Sequence, residues 1–493
     1  MPAWNLTTAR HLLRRTGFGA TRAAAQTLLD RHATLDDAVD SLLAFKPGKF
    51  KPGGRDIDDV HNRWVKYMVK TKAPLQERLV LFWHDHFATS WDKVQDVPLM
   101  QVQNRLLRLN CKGNFKTFVK AINKNPAMME FLDTARNRRR QPNENYAREL
   151  MELFTLGLTA PLPDDGGDSH NYDQADIVQI ARAFTGWEYD SKGVAELDEN
   201  RHDKGDAEEE WVPPRGPKVI FASRGGFNNA AGQSFDAGTS YALEIDNVID
   251  TIFQHQYGPS GNLRPTVADY IARRLITYFA HPEPTQSFVG EVVDTAGFAG
   301  SWEIQPLLRA IFLHDDFYLS AAAPASATKK SVKWPIDYTI STLRLLGMKP
   351  KSKDQYIPGG NYQDLRSQLT NMGQILFQPP SVFGWDWELA WVSSSTMLAR
   401  YSFARDVTAS RDGGGTSFRP ERLIDIELTA PADIVDAVTQ HLGVDDQLSV
   451  AERNALISYL GGGPIDLQDD ETRNRKLHGL FCLVLQSPAY QLQ

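Results

Sequence analysis

Apolar residues recur at three- and four-residue spacing through most of this chain, the period of a helix with one buried face. The pattern opens at Ala9–Arg15 and continues through Ala23–Leu43, Val60–Val69 and Leu75–Phe87, with a Lys-, Pro- and Gly-rich loop at Lys46–Gly54. Within the fourth of these, Leu79-Val80-Leu81-Phe82-Trp83 is apolar on every side, which predicts a helix buried all round. Two more helices are expected between Leu99 and Leu132, divided by the Asn110–Asn114 turn, with Asn125-Pro126 starting the second. Another ends near Gly157, and Asp173 is placed to cap the helix Asp173–Phe184.

From Ala195 to Gly238 the period fails. Pro213-Pro214, Gly216-Pro217, Gly225-Gly226 and Gly232 predict turns, and only Lys218–Ala222 reads as a short strand. Helical spacing returns at Ala242–Phe279, Pro306–Phe317, Trp334–Leu346 and from Leu423 to Leu492. The expected fold is therefore mostly α: a large multi-helical protein with a short β- and loop-rich insertion. It divides into an N-terminal helical lobe at 1–194, the insertion at 195–240 and a C-terminal helical lobe at 241–493. A chain of 493 residues exceeds what one core usually supports, which favours two lobes.

Composition narrows the function classes. With 42% hydrophobic and 23% charged residues the chain is an ordinary globular protein, and a net charge of −7 gives no basic field for nucleic acid. The short basic run Arg136 with Arg138–Arg140 reads as a solvated turn or as a seat for an anion. Cys111 and Cys482 stand far apart, with neither a disulfide framework nor zinc-finger spacing. No window is apolar enough for a membrane span, and Met1–Arg15 lacks the features of a secretory signal, so the expectation is a soluble chain that stays in the cytoplasm. There is no GxSxG, P-loop or Rossmann glycine pattern; Arg224-Gly225-Gly226 is followed by no Lys-Ser or Lys-Thr.

Two segments can carry chemistry. Phe82-Trp83-His84-Asp85-His86-Phe87 places two imidazoles and a carboxylate at the end of the buried helix, an expensive location unless they are paired. On a regular helix His84 and His86 point about 160° apart and share a metal only if the helix ends between them. In Asn143–Phe154, Glu144, Asn145, Arg148, Glu149 and Glu152 project onto one face at about 100° per residue, and Tyr146, Ala147, Leu150, Leu153 and Phe154 onto the other. That face is either solvated, with Glu144–Arg148–Glu152 pairs, or the lining of a cleft in which carboxylates hold a divalent cation or divide acid and base roles. Asp164, Asp165, Asp168 and His170 follow in the next loop and favour the cleft. Phe184-Thr185-Gly186-Trp187 and Pro379–Trp387, with Trp391 beyond, place tryptophans on turns, either to stack on sugars or cations or to lock the lobes together.

Leu12–Gly19, Phe82–Ser90, Asn125–Met128, Asn143–Gly157, Ala181–Trp187, Met372-Gly373-Gln374, Pro379–Trp385 and the closing Leu485–Tyr490 resemble the ordered motifs of a bacterial family, domain of unknown function 1800. The resemblance spans nearly the whole chain and implies a fold without a reaction. Its members often carry export signals, and their genes often neighbour a family resembling sulfatases and alkaline phosphatases, which implies such a partner and work on polymers or esters. The His-Asp…Lys motif that members often show after Gly-Trp is missing where Phe227-Asn228-Asn229 stands, which implies an altered or inactive member.

The first expectation is a metal-assisted enzyme acting on a polar, carbohydrate- or ester-containing substrate. Its catalytic set is Glu149, Glu152, Arg148 and His84; its divalent-metal ligands are His84, His86, Glu144 and Glu149; its substrate contacts are Asn143, Asn145, Trp187, Trp385 and Trp387. The alternative is a non-catalytic binding or scaffold partner of the sulfatase-like protein, with the same residues closed into a satisfied polar network.

Overall fold

The computed structural model describes residues 2–48, 50, 53–163, 167, 169–205, 216–222, 233–234, 240–321, 330–348, 365–409 and 418–493. Helices dominate, as the periodicity predicts, and three antiparallel two-stranded ribbons are present among the described residues: Trp187–Tyr189 with Ala195–Leu197, Val219–Ile220 with Gln233–Ser234, and Gln256–Tyr257 with Arg264–Pro265. The strand expected at Lys218–Ala222 is the second of these. The third interrupts what the sequence reads as continuous helix between Ala242 and Phe279, because Pro259 and Gly261 turn the chain back on itself.

Local chemistry starts the helices where the sequence places the signals. Asp173 caps Gln174–Ala183 through a reciprocal capping box with Asp176, and Asn125 accepts from the Met128 amide with Pro126 in the first turn. Pro74 opens the central helix Pro74–His86, in which every residue from Leu75 to His86 is buried. Its polar members are paired: Glu77 with Arg108 and with Trp64 Nε1 at 2.9 Å, Gln76 with the Gly48 amide at 2.9 Å, and Arg78 with Asp337 at 2.6 Å.

Helices from the two ends of the chain close on this one. Leu6–Thr16 and Ile57–Lys70 pack beside Thr266–Phe279 and Pro335–Leu345, and one hydrophobic core runs from Leu12 to Tyr490. Arginines finish helices far away in sequence. Arg15 donates to the carbonyls of Phe279 (2.6 Å) and Tyr278 (3.1 Å), and Arg344 to those of Met68 and Val69 (both 3.0 Å) and Thr71 (3.1 Å). Each guanidinium satisfies carbonyls that a helix end leaves without partners. Cys111 and Cys482 are both free. No helix among the described residues is long and apolar enough to cross a membrane.

Candidate functional site

The acidic segment forms in two steps. Asn145–Glu149 is α-helical, started by Asn143, whose side-chain oxygen accepts from the Asn145 amide at 2.9 Å. Leu150–Thr155 then widens into a π-turn, closed by Thr155 Oγ1 donating to the Leu150 carbonyl at 2.6 Å. Such turns concentrate at functional sites because they change which way the following side chains face. Here the ladder expected from Glu144 through Arg148 to Glu152 is broken. Arg148 pairs with Glu144 at 3.3 Å and Gln174 at 3.0 Å, whereas Glu152 accepts a 2.9 Å hydrogen bond from Tyr172.

The consequence is a half-buried pair of carboxylates with unequal surroundings. Burial, then the neighbouring Glu152, push the Glu149 carboxyl up to about 7, with Arg148 opposing. Tyr172 is buried, and burial and its bond to Glu152 hold its hydroxyl protonated. One carboxyl is thus poised to carry a proton near neutrality while its neighbour is held by a phenol. Tyr172 escapes the sequence reading because it lies beyond the loop, with nothing in its spacing to tie it to Glu152. Asn143 and Asn145 serve the turn: the Asn143 amide donates to Asn137 and the Asn145 side chain to Asp133.

The His84–His86 segment has a different role. The Pro74–His86 helix continues through both histidines, so they project to opposite sides. His84 Nε2 accepts from the Phe377 amide at 3.0 Å, which places the ring proton on Nδ1, and burial lowers its pKa to about 3. His86 Nε2 lies 3.2 Å from the Phe154 carbonyl, and burial holds that ring well below its ordinary range too. Between them Asp85 accepts from the Trp385 amide (2.8 Å) and Trp387 Nε1 (3.1 Å) and lies 3.4 Å from Arg274. Burial raises its carboxyl to about 6, with Arg274 and the Trp385 and Trp387 donors opposing. His84 and Asp85 are spent seating a distant loop on the helix end, while His86 faces the segment that carries Glu149 and Glu152.

The expected ligands His84, His86, Glu144 and Glu149 are not drawn to one point. No group of three or more His, Cys, Asp or Glu side chains able to hold a metal ion occurs among the described residues. Asp164, Asp165 and Asp168 lie outside the described residues. Trp187 and Trp385 are 6% and 3% exposed, so neither offers a free face for stacking. Trp387 is half-buried with Arg274 5.4 Å over its ring, and Trp334 packs against Trp385, Trp387 and Trp391. These rings are engaged in packing against one another and against Arg274.

A second polar cluster lies beyond the Gly186-Trp187 turn. His202-Asp203 follows Gly186-Trp187 and precedes Lys218, which supplies the residue types sought at Phe227-Asn228-Asn229, a segment outside the described residues. Loss of that motif therefore gives no ground for an inactive member. Glu244 accepts from Lys218 at 2.7 and 2.9 Å and lies 3.2 Å from His202, whose Nδ1 is 2.8 Å from the Thr185 carbonyl; Asp203 receives Arg182 through both oxygens. His202, Lys218 and Glu244 are fully buried, so the cluster cements the insertion to the Gln174–Ala183 and Glu244–Ile252 helices.

Against known proteins, the family model described as "Protein of unknown function (DUF1800)" matches residues 11–492. No curated protein and no solved structure matches the chain.

Proposed function

Since the chain belongs to the DUF1800 family, whose description fixes no reaction, we propose its function from the carboxylate pair: an enzyme using general acid–base catalysis on a polar substrate with a glycosidic or ester bond. The observation that carries this reading is the inequality of Glu149 and Glu152, one pushed up to about 7 and the other hydrogen-bonded by Tyr172. A carboxylic acid with a pKa near working pH donates a proton to a leaving oxygen, and an adjacent carboxylate activates water or stabilises positive charge. In this reading Glu149 is the acid and Glu152 the base. Arg148, whose side chain is 41% exposed, meets an anionic part of the substrate. His84 takes no part, because its acceptor nitrogen is committed to Phe377. Should the pair take a divalent cation, Glu149 and Glu152 supply two ligands and water or substrate the rest.

The test joins a chemical screen to a titration that needs no substrate. Carbon-13 carboxyl spectra of glutamate-labelled protein are expected to show Glu149 titrating near pH 7, and titration with manganese or calcium to report any cation at the pair. Chromogenic glycosides and esters are then assayed with wild type, Glu149→Gln and Tyr172→Phe, with turnover declining above about pH 7 and Glu149→Gln slower by about 100-fold or more. A Glu149 resonance titrating near 4.5, or hydrolysis indifferent to Glu149→Gln, removes the acid from this reading.

The second reading, a non-catalytic scaffold partner of a sulfatase-like protein, has one observation in its favour: His84 and Asp85 are committed to the Phe377 and Trp385 amides. It predicts that Glu149→Gln leaves partner binding unchanged.

A further inference from the structure

Behind the Trp385–Trp387 loop four cationic side chains are buried with too few partners. Arg15 and Arg400 are 0% exposed, Arg78 1% and Lys333 5%. Arg78 lies 2.6 Å from Asp337 and stacks 4.9 Å over the Tyr278 ring, and Lys333 Nζ sits 3.7 Å above Tyr490. Arg400 reaches the side chain of Gln491 at 3.0 Å and the Lys333 carbonyl at 2.8 Å. Against these four stand Asp337 and the half-buried Glu388, which accepts from the Val332 amide at 2.9 Å.

The imbalance extends to individual atoms. Arg15 Nη1, Arg78 Nε and Nη2, and the Tyr278 hydroxyl are all buried with no hydrogen-bond partner, and close as Arg78 is to Asp337, neither Asp337 oxygen has an aligned donor. These groups belong to one neighbourhood. Arg15 feels Arg78, Glu388, Asp337 and Tyr278, and Lys333 feels Asp337, Arg400 and Arg78. Burial, then Arg78, lowers Arg15 to about 9, while burial and Arg14 push Lys333 down to about 7. Buried cations without counter-charge are strongly unfavourable, and so are buried N–H and O–H groups without acceptors. A water molecule can satisfy some of the donors but brings no charge. An anion with several acceptor oxygens answers both deficits.

We propose that Arg15, Arg78 and Tyr278, supported by Lys333 and Arg400, form an internal site for a small oxyanion: inorganic sulfate or phosphate, or the carboxylate of a small acid. The ligand bridges the C-terminal end of the Thr266–Phe279 helix, which Arg15 finishes, and the central helix that carries Arg78. It lies apart from the Glu149–Glu152 pair, and its existence does not depend on the catalytic reading.

The full chain, exchanged into chloride buffer, is denatured and the released anions measured by ion chromatography. In parallel its thermal midpoint is followed on titration with sodium sulfate, sodium phosphate or sodium acetate against chloride at matched ionic strength. The expected result is either retained oxyanion near one per chain or saturable stabilisation at low millimolar concentration, and the effective salt distinguishes tetrahedral from carboxylate ligands. Tyr278→Phe keeps the ring under Arg78 and removes only the unpartnered hydroxyl. It is expected to weaken binding about tenfold with folding intact, as loss of one hydrogen bond to a charged ligand does. Arg78→Met is expected to abolish binding. Stabilisation through general exclusion of sulfate from the surface is not saturable and is the same in Tyr278→Phe. No retained anion together with no saturable stabilisation of the wild type overturns the proposal.

Discussion

At Glu149 the fold holds a carboxyl in its protonated form against its ordinary tendency, and stability must record this. In the unfolded chain the group titrates near the ordinary glutamate value of 4.5, and in the native state near 7. Between those values the native protein keeps a proton that the unfolded chain has lost. This contribution is complete below about pH 4.5 and is lost as pH rises through 7. Glu149→Gln is therefore expected to be more stable than wild type at pH 8, with the difference closing towards pH 4; urea midpoints across that range check it. His84 has the opposite sign. Lowered from 6.5 to about 3, it favours the native state above pH 6.5, and that contribution is lost as pH falls towards 3. His84→Gln can keep an acceptor for the Phe377 amide without titrating. It should flatten the acid side of the stability profile and cost roughly 1–2 kcal/mol at pH 7 through lost ring packing with Trp64, Phe377 and Trp385. At this scale the sequence showed that Glu149 and His84 were chemically interesting. It could not show which was accessible, because Phe377 and Tyr172, the residues that decide it, are fixed only by tertiary packing.

The helix carrying the acidic face was legible from its period, but the π-turn was not. Widening a helix by one residue leaves no mark in spacing over six residues, and here Tyr270, on another helix, bonds the Leu153 carbonyl inside the turn at 2.9 Å. Gly157 ends this element with φ +77°, and a Cβ there would lie 3.0 Å from the Tyr270 ring. Gly157→Ala is accordingly expected to cost about 1–2 kcal/mol for the left-handed backbone alone. The displaced Tyr270 should also loosen the turn and move the Glu149 titration back towards 4.5. Urea denaturation and the carboxyl spectra read the two effects separately. An unchanged Glu149 titration in a destabilised variant would mean that the turn does not set the environment of the pair.

Across the whole molecule, the residues that explain the central helix come from the far end of the chain. His84 is held by Phe377, Asp85 by Trp385 and Trp387, and Arg78 by Asp337, while a Cβ on Gly384 would lie 2.7 Å from the Asp85 carbonyl oxygen, so the loop fits only with glycine there. Such pairings, about 300 residues apart, are invisible to any local pattern, although the cost of burying His84, Asp85 and His86 already required that partners exist. They bear directly on whether 1–194 is an independent lobe. Expressed alone, that fragment keeps its helical periods but loses the Phe377 amide that donates to His84, the donors to Asp85 and the counter-charge of Arg78. It also exposes the faces that Thr266–Phe279 and Pro335–Leu345 cover. Leaving several buried polar groups without partners costs about 1–3 kcal/mol each, comparable in sum with the whole stability of a domain. The 1–194 fragment is therefore expected to show helical circular dichroism but poorly dispersed amide spectra, and to gain dispersion when residues 241–493 are co-expressed with it. A well-dispersed spectrum of the fragment alone would establish an autonomous lobe and would assign the cross-chain contacts to docking rather than to folding.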